Sequence, residues 1–116
     1  MKQAILLLLF LMFSSVFLQG RAQDYNQTKI QTTPEVNVYP NPVQVNAYVE
    51  IDSEGYDFVR FELIDILGNK VKRWDKMELT PGKQRLKLNL QSLNSGFYLL
   101  KVEVKGQTVV KRIRKL

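Results

Sequence analysis

The chain has 116 residues, with 17 Lys and Arg against 11 Asp and Glu, a formal net charge of +6, and neither His nor Cys. Those absences exclude a Ser-His-Asp triad, a Cys nucleophile and the usual His/Cys zinc and haem sites. They also exclude disulfide bracing and a lipid-modified N-terminal Cys, so a fold of this length, one domain at most, must rest on its core alone.

After Met1-Lys2-Gln3, residues 4–13 are all apolar, Ser14-Ser15 interrupt the run, and Val16-Phe17-Leu18 close it. A spanning helix needs about 20 apolar residues. The shorter run, with its charged start and the small residues Gly20 and Ala22, predicts a secretory signal peptide over residues 1–22, cut between Ala22 and Gln23. Lys2 and Arg21 are the only charges removed with it, which leaves 15 basic against 11 acidic residues and a net of +4. Residues 23–35 are polar apart from Tyr25 and Ile30 and read as a flexible leader.

From Val36 onward short β-rich runs alternate with Pro, Gly, Asn and Ser, the pattern of an all-β sandwich or barrel. Seven strands are predicted, over residues 36–39, 47–52, 58–66, 70–76, 84–90, 97–104 and 108–115, with no helix. The alternation is plainest in Leu86, Leu88 and Leu90 around Lys87 and Asn89, because a pleated strand sends successive side chains to opposite faces. Val59, Phe61 and Leu63 repeat it, as do Tyr98, Leu100, Val102 and Val104; Val49 and Ile51 mark another strand. Gly68-Asn69 suits a tight hairpin, Thr80-Pro81-Gly82-Lys83 a type II turn, and Lys105-Gly106-Gln107 the link to the last strand. A single turn is expected at Leu93-Asn94-Ser95.

That last strand, residues 108–115, places Val109 and Ile113 on one face and Val110 and Leu116 on the other, with basic residues on both. A strand that does not choose a face fits an exposed edge, where Lys and Arg discourage unwanted pairing. The same cluster of Lys111, Arg112, Arg114 and Lys115 also reads as an address for a partner, since strand addition at a sheet edge is a general recognition mode.

With His and Cys missing, only acidic pairs could support catalysis, and Glu50 with Asp52 or Glu62 with Asp65 lie on outward faces of a domain too small for a deep cleft. Asp52, Glu54 and Asp57 lack the spacing of a calcium loop. Lys70, Lys72, Arg73 and Trp74 form the one basic-aromatic cluster, read as a solvated strand face with Trp74 partly buried, not as a nucleic-acid site. No catalytic, cofactor or metal site is expected.

Three segments taken together resemble a known family: Val38-Tyr39-Pro40-Asn41-Pro42, then Leu63-Ile64-Asp65-Ile66-Leu67-Gly68-Asn69-Lys70-Val71, then Leu88-Asn89-Leu90 through Gly96-Phe97-Tyr98-Leu99-Leu100-Lys101-Val102, followed by a basic terminus. Residues 36–116 are similar to the type A C-terminal sorting domain of the type IX (Por) secretion system of Bacteroidetes. The resemblance implies a seven-stranded immunoglobulin-like or fibronectin-like sandwich that acts as a non-catalytic export signal. It implies an outer-membrane translocon and a cell-surface sortase as partners, contact with the outer membrane only through that machinery, and a secreted or surface location reached through the periplasm. By position the recognised residues would be Gly96, Tyr98, Lys111, Arg112, Ile113, Arg114, Lys115 and Leu116, and a sortase would cut within residues 23–35. Where the family carries a large cargo, only thirteen polar residues separate the signal peptide from the sandwich here. A stand-alone sorting-like protein, a peptide precursor and a fragment of a longer gene all follow from that, as does the alternative of a small secreted adhesion module reusing the fold.

Overall fold

The computed structural model describes residues 32–116. The predicted signal peptide and most of the predicted leader therefore lie outside the described residues. The described unit is an antiparallel β-sandwich without helix.

Its strands are β1 (Val36–Tyr39), β2 (Asn46–Ser53), β3 (Asp57–Asp65), β4 (Lys70–Arg73), β5 (Met77–Leu79), β6 (Gly82–Asn89), β7 (Gly96–Val104) and β8 (Gln107–Lys115). One sheet has the order β1-β2-β6; the other runs β4-β3-β7-β8, with β5 also paired to β3. All strand pairs are antiparallel.

The expected strand over residues 70–76 is two strands, which raises the count from seven to eight. Between them Trp74 turns inward against the core, its amide donating to the Phe61 carbonyl at 3.1 Å. Opposite, Leu63 pairs with Lys72 and Ile64 with Lys70, so Val71 is the extra residue of a bulge. The bulge increases local twist and shortens β4, and β5 then takes up the other half of the β3 edge.

The core is built from the residues whose period of two predicts it. Val49, Ile51 and Leu88 from one sheet meet Val59, Phe61, Leu63, Leu100 and Val102 from the other, and all are fully buried. Removing a side chain the size of Leu or Phe from water is worth about 2–3 kcal/mol. That burial replaces the missing disulfides.

Three turns fix the topology. Asp65 closes the β3-β4 hairpin, where its carboxylate accepts from the amides of Leu67 at 2.9 Å and Asn69 at 2.8 Å. Thr80-Pro81 carries the chain from one sheet to the other, and the Gln84 side chain clamps the crossing through the Thr80 amide at 2.8 Å. Lys105 and Gly106, with φ of 54° and 69°, form a two-residue hairpin whose left-handed backbone matches the twist of β7 and β8. The turn expected at Leu93-Asn94-Ser95 begins earlier, at Gln91-Ser92, and is closed by the Leu93 amide on the Leu90 carbonyl at 3.1 Å.

Candidate recognition surface

β8 lies at the edge of the larger sheet and pairs with β7 along its whole length, from Gly96 opposite Lys115 to Val104 opposite Gln107. Contrary to the sequence reading, it does choose a face. Val109, Lys111, Ile113 and Lys115 point toward the core side, Ile113 and Lys115 being buried, while Thr108, Val110, Arg112 and Arg114 are exposed on the outer face. The register set by the Lys105-Gly106 turn decides this, since a slip of one residue would exchange the two faces.

The candidate residues thus divide by role. Tyr98 is buried, and its hydroxyl donates to the Asn94 carbonyl at 2.7 Å, tying the start of β7 to the loop before it. Gly96, at φ 154°, adopts a backbone conformation that L side chains rarely take as it enters β7. The Lys115 ammonium folds back onto the Leu116 carbonyl oxygen at 2.6 Å. Arg112 and Arg114 stand on the outer face, with their guanidinium carbons 4.5 and 5.8 Å from the centre of the Phe97 ring. Cation–π contact of this kind is worth about 0.5–1 kcal/mol at an exposed site and leaves the charges accessible.

Part of the free edge of β8 is covered by residues that sequence reasoning did not assign to the site. The Val43 amide donates to the Arg114 carbonyl at 2.8 Å, and the Leu116 amide donates to the Val43 carbonyl at 2.9 Å. Two residues earlier, the Asn41 side chain donates to the Arg112 carbonyl at 3.1 Å and accepts from the Arg114 amide at 2.9 Å. Pro40 and Pro42 have no amide to offer, so a side-chain amide does what backbone cannot. The one available signal was an Asn enclosed by two prolines. By the alternation of an antiparallel ladder, the same edge presents the N–H and C=O of Val110 and the N–H of Arg112 farther along, beyond the reach of this latch.

Beside the arginines the outer face is apolar. Phe97 and Leu99 on β7 are partly exposed, and across the strands Leu99 lies opposite both Arg112 and Ile64. On the neighbouring strands, Glu62 of β3 pairs with Lys70 of β4 at 3.3 Å and Lys101 with Glu103 on β7 at 3.0 Å. Hydrogen bonding and attraction between the last two hold the Glu103 carboxyl below its ordinary range and the Lys101 amine above its own. Lys111, Arg112 and Arg114 of β8 have no carboxylate partner among the described residues, while Lys115 is bonded to the Leu116 backbone oxygen. Nor do three acidic side chains gather there into a metal-holding group.

A family model described as the secretion system C-terminal sorting domain matches residues 37–115. The chain belongs to that family. Such sorting domains are non-catalytic export signals of the type IX secretion system, recognised by its machinery, and they direct a protein to the cell surface or the extracellular space. Among solved structures, the sorting domain is similar to dimeric latent PorU from Porphyromonas gingivalis, with a TM-score of 0.60 and 21% identity. That likeness concerns the fold: it covers 72% of this chain and 9% of the PorU chain. No match was found among curated protein sequences.

Proposed function

We propose that the sorting signal of this domain is carried by β8 and by the outer face that β8 shares with β7, with Arg112 and Arg114 as its charged part and Phe97 and Leu99 as its apolar part. Lys111 flanks the edge, whereas Gly96, Tyr98, Ile113, Lys115 and Leu116 hold the strand in place. In this reading residues 1–22 take the chain to the periplasm, the sandwich passes it to an outer-membrane translocon, and a surface sortase cuts within residues 23–35. The domain has no catalytic role, and its sandwich is immunoglobulin-like, as supported by the β1-β2-β6 and β4-β3-β7-β8 orders and the Tyr98 bond at the start of β7.

The observation that carries the proposal is the concentration of accessible cations without acidic partners on one edge strand. A field of one sign speeds and selects association with a complementary surface. The test places a periplasm-directed fluorescent protein ahead of residues 23–116 in a host with a type IX system. Surface fluorescence is expected with the intact domain and is lost on deletion of residues 111–116. Retention in the periplasm with the intact domain overturns the reading.

A further inference from the structure

Two independent features coincide on β8. Its edge is latched by Asn41 and Val43 only from Arg112 onward, which leaves the backbone groups of Val110 and the amide of Arg112 facing outward. The side chains flanking that open segment are Lys111, Arg112 and the apolar Val110, which is 54% exposed, and neither cation has a carboxylate partner among the described residues. An open strand edge with unpaired donors and acceptors is a template for another strand.

We propose that residues 108–112 accept an extended strand from a protein of the secretion machinery, added antiparallel or parallel to β8. That strand carries acidic residues beside Lys111 and Arg112 and an apolar residue beside Val110. Main-chain hydrogen bonds supply affinity that does not depend on cargo, and the charge pattern supplies selection. The latch confines pairing to this short segment, because Asn41 and Val43 already occupy the edge at Arg114 and Leu116. A short segment makes few bonds and permits release after transfer. The inference rests on the proposed sorting role of β8 and names the mode and chemistry of recognition there.

The experiment uses the full chain with an epitope tag within residues 23–31, expressed in a type IX-competent host, and measures the exported fraction of the tag. In Val110→Pro the missing amide faces away from β7, so the β7-β8 ladder stays intact, a placement proline tolerates on edge strands. Export is expected to fall about tenfold or more in Val110→Pro and in Arg112→Glu, with melting temperatures measured on each purified variant. A folded Val110→Pro exported like the unsubstituted chain overturns strand addition, and normal export of Arg112→Glu overturns the acidic partner. If Val110→Pro fails to fold, a photo-crosslinking residue at position 110 decides: a covalent adduct with a type IX secretion protein, joined through an acidic segment and lost in Arg112→Glu, supports the proposal, and any other outcome overturns it. A dimer in sedimentation that Val110→Pro dissociates also overturns it, in favour of self-pairing. Failure of the unsubstituted chain to leave the periplasm would instead defeat the sorting role itself.

Discussion

The side-chain amide of Asn41 spans two backbone groups of β8, accepting from the Arg114 amide at 2.9 Å and donating to the Arg112 carbonyl at 3.1 Å. It thereby ties residues near the start of the fold to the last strand, seventy-one to seventy-three positions away in sequence. An exposed hydrogen bond contributes about 0.5–1.5 kcal/mol net.

Asn41→Ala removes both bonds and is expected to cost about 1–2 kcal/mol in denaturant unfolding. The more discriminating readout is hydrogen exchange. The Arg114 amide should exchange faster in the variant while the core amides of β3 keep their rates, and unchanged protection at Arg114 would show that the latch does not hold the edge closed.

Ile113 and Arg112 are sequence neighbours on opposite faces, so their truncations should separate stability from signalling. Ile113→Ala empties part of the core and is expected to lower stability by about 2–4 kcal/mol. Arg112→Ala touches only an exposed ring contact and should stay within about 1 kcal/mol of the unsubstituted domain by chemical denaturation. A large loss with Arg112→Ala would place that side chain in the fold's support.

Tyr98→Phe removes a hydroxyl that donates to the Asn94 carbonyl at 2.7 Å and leaves the ring in place. The expected loss is about 1–2 kcal/mol, because the Asn94 carbonyl keeps no replacement donor from Phe. Thermal unfolding of the two proteins checks it.

Asp65 gives the domain a pH dependence with a definite sign. Hydrogen bonds from the Asn69 backbone amide first, then from the Asn69 side chain and the amides of Leu67 and Gly68, hold its carboxyl below the ordinary carboxylate range. Its contribution to stability is therefore complete above about pH 5, where an unfolded Asp is ionised, and is lost as pH falls through the lower folded value. Asp65→Asn should lower the melting temperature at pH 7 and make the fall in melting temperature between about pH 4 and pH 2 shallower. Parallel curves for the two proteins across that range would show that the hairpin carboxylate does not matter.

Alternation of apolar and polar residues was enough to locate the sandwich core, because a pleated strand leaves each side chain only two directions. Phe61, Leu88, Leu100 and their neighbours are legible in this way, as is the edge character of the basic last strand. The break of residues 70–76 into two strands was not legible, since it comes from a bulge at Val71 and from Trp74 packing inward, and both depend on what lies across the sheet. The apolar residues of β8 likewise leave its facing ambiguous until the Lys105-Gly106 turn fixes register.

Composition and order thus determined a disulfide-free β-sandwich with no His or Cys chemistry and a basic last strand. Only the tertiary structure decided that Ile113 and Lys115 are buried, that Arg112 and Arg114 are presented on Phe97, and that Asn41 closes half of the edge while Val110 keeps the other half open. The reason is range. Side-chain periodicity acts between neighbours two residues apart, whereas a strand edge is covered or exposed by whatever distant segment the fold brings beside it.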